Sequence, residues 1–105
     1  MQNPTHDQVI DFLLDYIQDY KTLFNENLPQ VNASYKLKLQ YPGLTSCSVQ
    51  NKIEKAARKI QKQGLIEIIY KDRMYYYEII DDSKKENLKQ KWQHKHYTTG
   101  VRYSL

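Results

Sequence analysis

Apolar positions along this chain recur first with a helical period and later with the alternation of strands. Val9, Leu13, Tyr16, Ile17, Tyr20 and Phe24 share one helical face, and Ile10 and Leu14 widen it. Thr5 and Gln8 ahead of that run fit a capping box, and Asp7 suits the positive end of a helix. Asp7, Asp11, Asp15 and Asp19 recur every fourth residue on the opposite side, the pattern of a solvated face. Asn25 to Leu28 reads as a turn, and Pro29 suits the first turn of a second helix. That helix is expected over Gln30 to about Leu39, with Val31, Tyr35 and Leu39 four apart on one side. Leu37, between Lys36 and Lys38, also fits an alternating pattern. Tyr41-Pro42-Gly43 closes the segment, because proline cannot continue a helix and glycine permits a positive φ.

Ser46 is expected to cap a third helix, with Thr45 as the near alternative. Val49, Ile53, Ala56, Ala57 and Ile60 give that helix, over 47–63, one apolar side, and the two alanines favour close packing. Lys59 and Lys62 suit its negative end, and Gly64 stands at the C′ position, where a left-handed residue ends a helix at little steric cost. The pattern then changes. Leu65 to Tyr70 and Met74 to Ile80 are rich in isoleucine and tyrosine and read as two strands. Lys71-Asp72-Arg73 joins them tightly, but without the Asn-Gly or Asp-Gly pair that would name the turn. Ser83 and Glu86 form a second capping box before a basic segment holding Leu88 and Trp92, so a short helix is expected from about Lys84 to His94. The final ten residues show no clear period, the pattern of a disordered tail or of one that orders only in a dimer.

With 105 residues the chain suffices for one domain with one modest core, at about 6–80, and 81–105 as a helix and tail. A domain of this size often gains stability by pairing. The net charge is only +4, but its distribution is uneven. Residues 1–29 hold one lysine against five carboxylates, a balance of −4, so the remainder carries +8. One acidic and one basic surface are implied, and the basic one favours phosphate or acidic partners. Cys47 is the single cysteine, which excludes an internal disulfide. The polar N-terminus does not read as a signal peptide, and no apolar run approaches the roughly 20 residues of a membrane span. A soluble, cytoplasmic protein is expected. Ten tyrosines stand beside two phenylalanines, and any buried phenol among them needs a partner.

The chain resembles the winged helix-turn-helix family. The resemblance rests on Leu44-Thr45-Ser46-Cys47-Ser48-Val49, on the apolar spacing to Ile60, on Gly64-Leu65-Ile66 and on Arg73-Met74-Tyr75-Tyr76-Tyr77, and it covers roughly residues 8–80. It implies an α+β fold with a three-helix core, a two-stranded β-hairpin wing and a C-terminal helix. It also implies that the N-terminal half of helix 47–63 enters the major groove of double-stranded DNA. Ser48, Gln50, Asn51 and Lys52 are then the base-edge candidates, since hydroxyl, amide and ammonium groups match base edges there. Lys55 is assigned to phosphate, and Arg58 and Lys59, late in the helix, to solvent. Lys71 and Arg73 flank the wing tip and can reach the backbone or minor groove, with Asp72 between them opposing phosphate. Core packing is the expected role of Tyr75 and Tyr77, and Trp92 is the expected anchor of the last helix. Lys84, Lys85, Lys89, Lys91 and Lys95 could add phosphate contacts or serve as a solubilising edge of a dimer helix. The acidic stripe would point away from DNA, or meet a basic patch on a partner subunit.

Other chemistry is thinly represented. The three glycines are scattered, so no phosphate-binding loop is present. Cys47 at a helix N-terminus raises a redox-sensing alternative. His94 and His96, one residue apart, lack the companions of a metal site. No enzyme activity, cofactor, metal or small-molecule ligand is expected. The favoured reading is a homodimeric, repressor-like regulator whose two helices sit about 34 Å apart, one turn of duplex. The alternatives are a plasmid or phage protein that binds DNA repeats in replication or partition, and a winged helix used for protein contacts.

Overall fold

A computed structural model of the chain describes residues 3–80 and 87–93. Helix α1 (His6–Phe24) leads into a two-residue strand β1 (Leu28–Pro29) and helix α2 (Gln30–Gln40). Helix α3 (Ser46–Lys62) follows, then strands β2 (Ile66–Lys71) and β3 (Met74–Ile79). A fourth helix, α4, covers 88–93. Among the described residues the architecture is α+β, with four helices and one antiparallel sheet in the order β1-β3-β2.

The helix ends follow local chemistry. Thr5 and Gln8 cap α1 reciprocally: Thr5 Oγ1 accepts from the Gln8 N–H at 3.1 Å, and Gln8 Oε1 accepts from the Thr5 N–H at 2.9 Å. Asn25 ends the helix in the left-handed region, which asparagine tolerates well. At α3 the N-cap is Thr45 rather than Ser46. Thr45 is extended and its Oγ1 accepts from the Ser48 N–H at 3.0 Å, which makes Ser46 the first helical residue. The far end is a Schellman motif. The Leu65 N–H reaches the Ile60 carbonyl, the Gly64 N–H reaches that of Gln61, and Gly64 has φ 78°.

Between α2 and α3 the Tyr41 carbonyl accepts from the Leu44 N–H at 3.0 Å. Helix α2 ends before Tyr41-Pro42-Gly43 as expected, without a positive φ at Gly43. A lysine secures the turn instead, because Lys38 Nζ donates to the carbonyls of Pro42 and Leu44.

The expected two-stranded wing is part of a three-stranded sheet. β1 pairs Leu28 with Tyr77 and Pro29 with Tyr76. Two residues are too few to show an alternating pattern, and Pro29, which lacks an N–H, belongs on an edge. The segment read as a turn and a helix start therefore also supplies an edge strand.

The buried side of α1 is centred on Val9, Ile10, Leu13, Leu14 and Ile17, and it faces Val49, Ile53, Ala56, Ala57 and Ile60 of α3. Tyr16 and Tyr20 are only partly buried, and Phe24, expected inside, is exposed on the last turn. Phe12, Tyr16, Tyr20 and Phe24 instead stack in series at i,i+4 spacing, with neighbouring ring centroids 5.9, 6.1 and 4.7 Å apart. Lys36 Nζ lies 5.2 Å from the Tyr16 ring.

Helix α2 reverses the expected face. Val31, Tyr35 and Leu39 are exposed, whereas Gln30, Ala33 and Leu37 are buried. A polar residue at the first buried position hid this side from a hydrophobic count. Gln30 is buried because both ends of its amide are paired, to the Tyr77 hydroxyl and to Glu54.

Asn87 Oδ1 accepts from the N–H groups of Lys89 and Gln90 and so caps α4. Leu88 and Trp92 bury themselves in the core. The Leu88 N–H donates to Gln18 Oε1, and Lys89 pairs with Asp15 at 3.4 Å. One carboxylate of the acidic stripe is thus met by a lysine of the same chain, an exposed pair of small energetic weight. The Ser83–Glu86 capping box, Lys84, Lys85, His94, Lys95, His96 and the tail lie outside the described residues. Among the described residues, no helix is long and apolar enough to cross a membrane.

Candidate functional site

The solvent side of α3 divides into two strips. Ser48 stands three and four residues before Asn51 and Lys52, and Lys55 stands four and three after them; the four line one open groove with Thr45 and Cys47. Lys55, Asn51 and Cys47 are exposed, and Ser48 and Lys52 are half-buried. The only contact among these polar groups is weak, from Asn51 Nδ2 to Cys47 Sγ at 3.9 Å. The donors of this strip therefore face outward. His6, in the first turn of α1, lies near it. Burial lowers its pKa below the ordinary histidine value; Lys55 and Lys59 lower it further and Asp7 opposes them. Lys55 and Lys59 of α3 therefore act on the start of α1, where Asp7 opposes them.

The second strip turns toward the sheet. Gln50 enters a groove with Val31, Ser46, Tyr70, Arg73, Met74 and Tyr75, between α2, the start of α3 and the hairpin tip. Glu54, Arg58 and Gln61 follow on the same side and face Ile68, Tyr75 and Tyr77. Gln61 Oε1 accepts from the Ile68 N–H at 3.0 Å and ties the helix to β2. Burial raises the Tyr77 phenol pKa well above its usual range, and the Glu54 carboxylate adds to the shift while Arg58 opposes it. Arg58 is exposed, as expected from the sequence, and also lies within electrostatic reach of the core phenol. Tyr77 packs in the core as expected, but Tyr75 is partly exposed and rests on Tyr70, their ring centroids 4.7 Å apart.

The hairpin tip separates the two cations expected there. Arg73 faces the α3 groove, while Lys71 lines the opposite face of the sheet with Lys21, Glu26, Asp72 and Glu78. The structure thus gathers Ser48, Asn51, Lys52 and Lys55, places Gln50 with Arg73 in a separate groove, and leaves Lys71 apart on the other face of the sheet.

No family model, curated protein or solved structure matches this chain. Its residues must carry the functional reading.

Arg73 is informative in this respect. Lys71 pairs with Met74, so Asp72 and Arg73 are the two loop residues, with φ 54° and 67°. Positive φ at both positions marks a type I′ turn, whose second position favours glycine. Aspartate tolerates the left-handed region, but a long cationic side chain there costs about 1 kcal/mol. A charge is held where turn chemistry prefers no side chain. Arg73→Gly is expected to raise the unfolding free energy by about 1 kcal/mol. A denaturant titration checks this; a loss of stability would contradict the turn assignment.

Burial, with Lys55 and Lys59 adding to it, gives His6 a pH signature. With its folded pKa below the unfolded value, the unfolded chain takes up the proton more readily. Stability is therefore expected to fall as pH drops from about 6.5 toward that lower pKa. A polyanion beside His6 would reverse the sign for binding, because it favours the imidazolium; affinity would then rise over the same interval. His6→Gln should flatten both profiles in melts and binding titrations.

Among the described residues, no group of three or more His, Cys, Asp or Glu side chains is placed to hold a metal ion.

Proposed function

We propose that this chain is a winged helix-turn-helix protein that binds double-stranded DNA, with α3 in the major groove and the β2–β3 tip against the adjacent backbone. The observation that carries the reading is the groove on the N-terminal half of α3. Ser48, Asn51, Lys52 and Lys55 open there to solvent as a set of hydroxyl, amide and ammonium donors with no carboxylate among them. Groups of this kind suit base edges and phosphates together. The chain order helix, strand, helix, helix, hairpin and the sheet order β1-β3-β2 support the family assignment. Arg73 supports the wing contact, since it turns toward the side of α3 that holds Gln50. Lys71 has no part in this arrangement.

A repressor-like regulator acting as a homodimer is the form of the reading carried forward. The acidic stripe lies on α1, and none of its carboxylates lines the α3 groove.

Selection of bound sequences from a random duplex pool tests the proposal. An enriched site with two symmetric halves one helical turn apart is expected for the dimeric regulator. Tandem repeats would instead favour the replication or partition role. No enrichment and no duplex binding at low salt would end the DNA reading and leave protein contacts as the use of the fold.

A further inference from the structure

A line of side-chain hydrogen bonds runs from the core to the outside along the hairpin-facing strip of α3. The Tyr77 hydroxyl, in the core, donates to Gln30 Oε1 at 2.9 Å. Gln30 Nε2 donates to Glu54 Oε2 at 3.2 Å. The same carboxylate oxygen accepts from Gln50 Nε2 at 3.1 Å. Gln50 is exposed and stands at the mouth of the groove shared with Arg73.

The chemistry of this line fixes the orientation of each amide. An ionised carboxylate only accepts, so both glutamines must turn their NH2 groups toward Glu54. Gln30 cannot flip without also losing the phenol as donor, so Tyr77 and Gln30 hold Glu54 from the inside. Glu54 in turn engages one of the two amide hydrogens of Gln50. What remains on the outer edge of Gln50 is Oε1 and one N–H, an acceptor beside a donor. Adenine presents the complement in the major groove: an N6–H donor beside the N7 acceptor. Guanine offers two acceptors there, cytosine a donor, and thymine an acceptor beside a methyl group. A glutamine held in one rotamer also gives up less freedom on binding than a loose one.

We propose that Gln50 is the adenine-reading residue of this protein, and that Glu54 is a positioning residue that aims its amide, anchored through Gln30 to Tyr77. The assignment rests on the DNA-binding function proposed above. Ser48, Asn51, Lys52 and Lys55 supply affinity and further contacts, while Gln50 supplies preference at one base pair.

The test is selection from a random duplex pool with the wild type, Gln50→Ala and Glu54→Gln, alongside affinity for an unrelated duplex. The wild type is expected to require adenine at one position of each half-site. Gln50→Ala should lose that requirement and bind the preferred site roughly 5- to 150-fold more weakly, with affinity for the unrelated duplex unchanged. Glu54→Gln keeps shape and volume but can accept or donate, so the Gln50 amide is free to invert. The preference for adenine over guanine at that position should fall about tenfold, without loss of thermal stability and without loss on the unrelated duplex. A purely structural role for Glu54 would lower stability and weaken all duplexes alike. Full adenine preference in either variant overturns the proposal while the DNA reading stands. Failure of the wild type to bind any duplex overturns both.

Discussion

Leu37→Ala is expected to destabilise the protein by roughly 3 kcal/mol, whereas Leu39→Ala, two residues away, should change stability by no more than about 0.5 kcal/mol. The two leucines belong to the same helix and lose the same atoms. Leu37 is fully buried against the core, so its truncation forfeits transfer energy and leaves a cavity. Leu39 is 59% exposed, so most of its side chain already meets water. In a domain of this size a loss of 3 kcal/mol corresponds to a drop in Tm of about 10–20 °C. The pair of melts therefore reads the rotation of α2 about its axis. Equal effects, or a larger one at Leu39, would contradict the face that positions Gln30 under the sheet, and with it the support for Glu54.

Replacing Lys52 and Lys55 together by alanine is expected to weaken duplex binding by roughly 30- to 1000-fold near physiological salt. The two side chains share one groove but are assigned different tasks. Loss of Lys55 removes a phosphate contact, so the slope of log affinity against log salt should become shallower by about 0.9 on every sequence. Loss of Lys52 removes a base-edge contact worth about 1–3 kcal/mol at one position. Both lie on the solvent side of α3, where alanine is a good helix former, so the fold should keep its stability within about 0.5 kcal/mol. Retention of full affinity by a folded double variant would remove the α3 groove from the interface. Arg73→Gly completes the set, since a more stable fold with weaker binding separates the wing's contact from its structure.

Strong, repeated signals in the sequence were realised in the structure. The Thr5–Gln8 capping box, the apolar spacing from Val49 to Ile60, the glycine stop at Gly64 and the isoleucine- and tyrosine-rich strands all specify local geometry by themselves. What stayed hidden depends on contacts distant in the chain. Gln30 is buried only because Tyr77, 47 residues on, satisfies it, and without that pairing the exposed stripe of Val31, Tyr35 and Leu39 is the more persuasive apolar face of α2. Leu28 and Pro29 become a strand only when Tyr76 and Tyr77 lie alongside. The twist of the hairpin imposes a left-handed conformation on Asp72 and Arg73 that neither residue announces.

The candidate site was legible as residue types and only partly as an arrangement. Helical spacing alone unites Ser48, Asn51, Lys52 and Lys55, so that group follows from the sequence. The divergence of Lys71 and Arg73 across the sheet, and the tie between Gln50 and Glu54, need the third dimension. The i,i+4 spacing of Gln50 and Glu54 was the one local signal that could have pointed to their pairing.

The most direct test of the central claim is the salt dependence of duplex affinity for the full chain, measured from about 50 to 200 mM monovalent salt. With Lys55 of the α3 groove and Arg73 of the wing tip meeting phosphate, a linear plot of slope about −2 per protomer is predicted. A slope near zero, or no duplex binding at the lowest salt, would contradict the assignment of this face to DNA.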